Sequence, residues 1–270
     1  QIGADKANTS PALLGVSEVE NLSVLEDLVN SDRLKSKGYG IVHYDSPDKR
    51  GIDVALLYQK RYFKPVHHEA FNPNIYRNGY KVYTRDQLLV SGYLDDELIH
   101  VIVNHWPSRS GGEARSRPFR VEAAKLNKRI IDSVRRFNTH AKIISMGDFN
   151  DDPIDPSFKK VLKVEKNSKK LDSTSLYGPM EKLYRKGRGS LAYRDKWNLF
   201  DQFYMTSSLI NNPNEGYRYW KTGIFTPPYL LDPKGRYKGY PLRTYAGGSY
   251  IGGYSDHFPV YLHLIKKVNP

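Results

Sequence analysis

Apolar residues along most of this chain come in short runs of roughly four to eight, the length of buried strands, and polar or turn-forming clusters separate them. The run from Pro11 to Glu18 is apolar and bounded by proline, so it predicts a strand that delivers Glu18 at its C-terminal end. From Asn21 to Leu34 the period changes: Leu22, Leu25, Leu28 and Val29 share one helical face, and Gly38 stops the helix. Strands then resume over 39–44, 51–58, 87–93 and 98–104, rich in Val, Ile, Leu and Tyr. A turn at Leu94-Asp95-Asp96-Glu97 implies an antiparallel meander. Ala123, Leu126, Ile130, Val134 and Phe137 recur at three- and four-residue steps and predict an amphipathic helix covering a sheet. Lys142 to Met146 forms another strand running into Gly147-Asp148-Phe149-Asn150, followed by strands over 199–205 and 258–265. Strands that outnumber crossovers, with two substantial helices, predict an α/β sandwich: two mostly antiparallel sheets with helices outside. No internal repeat or dividing linker is visible, so one domain over 1–270 is expected.

Composition narrows the chemistry. Forty-two bases against 29 acids leave a charge of +13 over 270 residues, which favours a polyanionic partner such as nucleic acid, a phosphorylated small molecule or an anionic membrane face. There is no cysteine, which excludes disulfides, thiolate metal sites and cysteine nucleophiles. No apolar run approaches the roughly 18–20 residues of a membrane span, and no obligate protein partner is evident. The start lacks the basic and apolar regions of a signal peptide. Removal of such a peptide leaves the same appearance, so the compartment stays open, with a secreted or periplasmic location favoured over the cytoplasm. No Gly-rich phosphate loop of the dinucleotide or P-loop kind is present, which sets the doubly wound nucleotide folds aside.

Four polar clusters fall where apolar strands end or begin: Glu18 with Glu20, Asn104-His105, Asp148 with Asn150, and Ser255-Asp256-His257. Carboxylates with Asn and His, and no thiols, form the ligand set expected of Mg²⁺ or Mn²⁺, hard cations that prefer oxygen donors; Ca²⁺ shares the preference. Metal-assisted phosphoryl chemistry is the reading this set favours.

Ser17-Glu18-Val19-Glu20-Asn21, Asn104-His105-Trp106, Met146-Gly147-Asp148-Phe149-Asn150 and Ser255-Asp256-His257-Phe258-Pro259-Val260 together resemble the ordered motifs of the endonuclease/exonuclease/phosphatase superfamily. That superfamily includes deoxyribonuclease I, apurinic endonucleases, neutral sphingomyelinases and inositol polyphosphate phosphatases. The resemblance spans Pro11 to Leu264 and implies a four-layer α-β-β-α sandwich of the deoxyribonuclease I kind. It implies metal binding by Glu18 and Asp256. Asp148 and Asn150 match the pair that orients or deprotonates the attacking water and holds the phosphate. His257 matches a phosphoryl donor or base, His105 a second phosphate-contacting histidine, and Asp201 the acid paired with the terminal histidine. One departure stands out: the superfamily opens with a strand bearing an asparagine near the metal, then a helix, and this sequence begins after that point. An upstream first strand and helix missing from the sequence is the expected reason.

Other residues carry weaker signals. Arg109, in the basic loop Pro107-Ser108-Arg109-Ser110-Gly111-Gly112, is a candidate phosphate contact. Arg243 is another, set among Tyr237, Tyr240, Tyr245, Tyr250 and Tyr254, whose rings either stack on bases or pack on the sheet. Glu20 reads as a surface acid, Asp151 and Asp152 as turn caps, and His43, His67, His68 and His100 as packing or surface histidines. The leading function is a divalent-metal-dependent phosphodiester hydrolase acting on DNA or RNA. The alternatives are a phosphatase or phosphodiesterase for phospholipid headgroups or inositol phosphates, and a non-catalytic nucleic-acid-binding module. Retention of Glu18, Asp148, Asn150, Asp256 and His257 together argues against the last.

Overall fold

In chain order the elements of the computed structural model, which describes residues 2, 7, 9–211 and 216–267, begin with β1 (Leu13–Val19), α1 (Leu22–Asn30), β2 (Tyr39–His43), β3 (Asp53–Gln59) and β4 (Phe63–Phe71). β5 (Ile75–Arg77), β6 (Tyr80–Val82), β7 (Gln87–Leu94), β8 (Glu97–His105), α2 (Glu113–Phe137) and β9 (Lys142–Asp148) follow. The C-terminal half carries β10 (Leu176–Tyr177), α3 (Met180–Tyr184), β11 (Leu191–Tyr193), β12 (Lys196–Asn198) and β13 (Asp201–Thr206). It ends with β14 (Arg218–Ile224), β15 (Tyr245–Ala246), β16 (Ser249–Tyr250) and β17 (Val260–Ile265).

Two sheets form the centre. One is ordered β1-β3-β2, the other β10-β13-β9-β8-β7-β4, and β14 pairs with β17. Alternation of side chains sorts the apolar residues into three cores. Val54 and Leu56 of β3 meet Val90, Val101 and Ile144 of the larger sheet. The opposite face of that sheet, with Leu89, Ile102 and Ile143, is covered by Ala123, Leu126, Ile130 and Ile131 of α2. On the far side Ala55 and Leu57 of β3 meet Leu25 and Val29 of α1. The layers are therefore α1, small sheet, large sheet, α2, a four-layer α-β-β-α sandwich.

The departures from the expected elements have local causes. Asn21 caps α1 by accepting from the Val24 N–H at 3.1 Å, but the helix stops at Asn30, and Leu22 and Leu28 are exposed. α2 begins ten residues before Ala123, because the inward face of its first turns carries Ser116 and Arg120, which leave no hydrophobic period to read. β4 escapes notice because it is an edge strand with exposed histidines and a bulge at Pro65. β8 and β9 run parallel, joined through α2, within an otherwise antiparallel sheet.

That parallel pair positions the chemistry. With β8 and β9 pointing the same way, their C-terminal ends coincide, and antiparallel β13 starts beside them. His105, Asp148 and Asp201 thus stand in register across three adjacent strands. Gly147 makes the close approach possible: its φ is +134°, and a Cβ there would lie 2.0 Å from the Asn104 carbonyl oxygen.

Beneath this row, Asn127 of α2 donates to Asn104 Oδ1 at 2.6 Å and to Gln87 Oε1, and accepts from Ser145 and Tyr204. Trp106 adds a second donor to Asn104 and meets the Phe149 ring edge-on at 4.8 Å. A buried polar network in which members satisfy one another rigidifies the strand ends it links. β1 and β17 are each the last strand of their sheets, and a cavity of about 490 Å³ lies between them over Val101, Ile144, Met146 and Phe203, reaching Asp148 and Asp201. Among the described residues no strand precedes β1.

Candidate active site

The row of strand ends meets a fourth element here. The loop entering β17 carries His257, whose Nδ1 lies 2.7 Å from Asp201 Oδ2. On the other side of the row, His105 Nε2 lies 3.5 Å from Asp148 Oδ2. One ligand atom from each of Asp148, Asp201 and His257 falls within 4.8 Å of the others.

These neighbours set opposite protonation states for the two histidines. Burial disfavours charge on His257, but Asp201, through its field and its hydrogen bond, and then Asp148 and Asp256 outweigh it and raise the pKa to about 10. His257 is an imidazolium at neutral pH. His105 is fully enclosed, with Arg85, Arg50 and His257 nearby, so burial and then these cations push its pKa well down and it stays neutral. Its Nδ1 has no hydrogen-bond partner among the described residues. Asp148 is raised to about 6, chiefly by burial; the His257 cation opposes this, Asp201 adds to it, and the Asn150 N–H and Arg85 work against it.

Asn150 occupies a left-handed turn, φ +51°, that a non-glycine residue adopts uncommonly and asparagine tolerates best. The turn aims its backbone N–H at Asp148 Oδ1 (2.8 Å) and its amide nitrogen at Asp148 Oδ2 (3.2 Å) and the Trp106 carbonyl (3.0 Å). Each Asp148 oxygen keeps acceptor capacity beyond those bonds.

Glu18 and Asp256, the ligand pair expected from the resemblance, stand outside the Asp148–Asp201–His257 group. A bulge between Ser17 and Val19 puts Glu18 at φ +59° and turns it out of the β1 ladder. Its exposed carboxylate faces Arg50 at 3.4 Å. Asp256 is exposed but close enough to act on His257 electrostatically. Arg109 is also placed differently from the expected phosphate contact. Its guanidinium donates to Asp155 at 2.8 Å and to the Asn150 carbonyl at 3.0 Å and lies over the Phe200 ring, so it braces the loop bearing Asn150. Arg243 is exposed on a separate arm.

Several residues that shape the site gave no sequence signal. Arg85, buried, donates to the His105 and Trp106 carbonyls and pairs with Asp48 at 2.9 Å. Asp151 is no simple turn cap: it lies fully buried against Arg120 at 2.5 Å and Ser157. Both rest on contacts between residues far apart in sequence. His43, read as a packing histidine, is buried against Asp53 at 2.9 Å. With Asp45 the two form a second group of ligand type, but Asp53 is already bound to His43 and to the Ser46 N–H.

Two carboxylates at the edge of a cavity, Asp148 and Asp201, with no sulfur beside them, suit a divalent cation. Asp148, with lone pairs to offer beside Asp201 and His257, is the residue best placed to hold one.

Residues 1–266 match the family described as the Endonuclease/Exonuclease/phosphatase family. The chain belongs to that family. Its members are phosphoester hydrolases, and this chain is a hydrolase of the same kind. Among curated proteins none matches the sequence. Among solved structures it is similar to D. rerio TDP2 complexed with single strand DNA product, at 12% identity and a TM-score of 0.61, covering 98% of this chain and 90% of that one. It is similar also to the Bacteroides thetaiotaomicron mannosyl-6-phosphatase Bt3783, at 19% identity and 0.59, covering 98% and 88%. A third is the human Nocturnin catalytic domain with bound sulfate anion, at 14% and 0.56, covering 94% and 81%. At these identities the likeness is one of fold, and it agrees with the four-layer sandwich. No helix among the described residues is long and apolar enough to cross a membrane.

Proposed function

We propose that this family member is a divalent-metal-dependent phosphodiester hydrolase acting on nucleic acid. The observation that carries the reading is the pairing of His257 with Asp201 beside Asp148, which sets a fixed imidazolium next to a carboxylate of raised pKa. With Nδ1 engaged, His257 offers its Nε2–H to a non-bridging phosphoryl oxygen. Asp148, oriented by Asn150, takes a proton from the attacking water as its oxygen bonds to phosphorus. The ester P–O bond breaks, and the departing oxygen is protonated from solvent. His105, neutral and beside Asp148, offers a second contact to the phosphate. Asp148 would hold a Mg²⁺ or Mn²⁺ ion, with Glu18 and Asp256 as further candidate ligands, and the ion would supply charge neutralisation at the phosphate. The charge of +13 supports a polymeric anion as substrate, and the TDP2 relative is one that binds DNA product.

A second reading, a phosphatase of small phosphorylated molecules such as sugars, draws on the mannosyl-6-phosphatase neighbour, whose identity exceeds that of TDP2. One panel separates the two: plasmid, single-stranded DNA, RNA, sphingomyelin, inositol phosphates and sugar phosphates, each with Mg²⁺, Mn²⁺ or chelator. The proposal expects chelator-sensitive cleavage of nucleic acid and binding that weakens steeply with salt as counterions are released. Phosphate release from the small esters alone, with a flat salt response, contradicts it.

A further inference from the structure

Residues 233–255 contain no acid, while Lys234, Arg236, Lys238 and Arg243 supply four cations and Tyr237, Tyr240, Tyr245, Tyr250 and Tyr254 supply five aromatic rings. The fold makes an arm of this stretch. β15 and β16 form a short hairpin whose tip, Gly247 and Gly248, has positive φ at both residues. Below the tip the legs are stitched by Ile251 N–H to the Thr244 carbonyl at 2.9 Å, Gly253 N–H to that of Arg243 at 3.0 Å, and Tyr254 N–H to that of Leu242 at 2.8 Å. Gly253 permits this approach: a Cβ there would sit 2.2 Å from both the Leu242 and Arg243 carbonyl oxygens. At the base, Tyr240 packs on Trp197, which stacks on Phe258.

Tyr245 and Tyr250 face each other across the hairpin, ring centroids 5.5 Å apart, yet are 62% and 70% exposed. They bury little against the body of the protein, so a packing role does not account for them. The return leg runs directly into Asp256 and His257. His257 lies seven positions after Tyr250, a reach of no more than roughly 25 Å even when fully extended.

We infer that this arm is a single-strand clamp, in which Tyr245 and Tyr250 stack on unpaired bases of a nucleic acid whose phosphates contact Arg243 and the neighbouring lysines. The inference rests on the nucleic-acid reading above and adds to it a preference for single strands. Aromatic rings gain from stacking only where base faces are open, and a duplex hides them. Asp195 pairs with Arg236 and accepts from the Tyr240 hydroxyl, but the charges the segment itself carries are all basic, which favours a polyanion over a neutral glycan, the other ligand that exposed tyrosines suit.

The test is binding by fluorescence anisotropy, with chelator present to prevent turnover, using a labelled single strand, its duplex and a neutral oligosaccharide. The Tyr245→Ala/Tyr250→Ala protein is expected to lose at least about tenfold in single-strand affinity, while duplex affinity changes little and Tyr245→Phe/Tyr250→Phe keeps the parental value. Equal single-strand binding by parent and alanine variant, equal losses on duplex, equal losses in the phenylalanine variant, or tighter binding of the oligosaccharide each overturns the clamp. In the unaltered protein, photo-cross-links from a thiothymine-containing strand should map to Tyr245 or Tyr250, and mapping elsewhere overturns it as well. Because binding is read without turnover, the two failures are distinguishable: single-strand binding that survives the alanine substitutions condemns the arm alone, whereas a parent that binds neither strand nor duplex condemns the nucleic-acid reading on which the arm rests.

Discussion

His257 Nδ1 and Asp201 Oδ2, 56 residues apart in sequence, meet at 2.7 Å where β13 begins and the chain enters β17. The contact ties a loop to the end of the central strand row and fixes one ring nitrogen as donor, and in the protonated ring that Asp201 favours the other nitrogen is an N–H as well.

Asp201→Asn removes the charge that keeps His257 protonated. A histidine NMR titration is expected to find the parental ring titrating near pH 10 and the variant falling toward the ordinary value of 6.5. A folded pKa above the unfolded one stabilises fully below about pH 6.5, and the gain is lost as pH rises toward 10. The stability gap between parent and variant should therefore be widest in mild acid and close in alkali. A parental ring that titrates near 6.5 contradicts the pairing.

Arg120 and Asp151 are both fully buried and joined at 2.5 Å. Removing one partner leaves the other charge uncompensated, so Arg120→Met should lower unfolding free energy in urea by about 3–5 kcal/mol. Arg120→Met/Asp151→Asn should recover part of that loss. A single variant as stable as the parent would show that the pair is not enclosed as described.

Gly147→Ala forces a Cβ toward the Asn104 carbonyl in a backbone conformation that side chains rarely adopt. The expected loss is about 2 kcal/mol or more in urea denaturation, accompanied by reduced turnover because Asp148 is the next residue. Parental stability and activity together would mean that β8 and β9 do not need this close approach.

Much of this architecture was legible in the sequence, and the limits have physical causes. Alternating and helical periods located most central strands and the apolar half of α2, and the motifs named every residue of the Asp148–Asp201–His257 group. What stayed hidden depends on partners remote in sequence. The first turns of α2 present Ser116 and Arg120 inward to Asp151, so polar pairing replaces the apolar period there. Arg85 looks like a surface residue until Asp48 and two backbone carbonyls surround it. Arg109 read as a phosphate contact because a basic residue beside glycines suggests an anion site; Asp155 and Asp152 already occupy it. The bulge that turns Glu18 toward Arg50 is a matter of pairing with β3, invisible in β1 alone.

The central claim is that Asp148, held by Asn150 beside the His257–Asp201 pair, handles the attacking water. Its most direct test is the turnover of Asp148→Ala on a phosphodiester that the parent hydrolyses, with circular dichroism verifying the fold. The account predicts a native spectrum and a rate lower by at least about two to three orders of magnitude. A natively folded variant that cleaves at nearly the parental rate would contradict it.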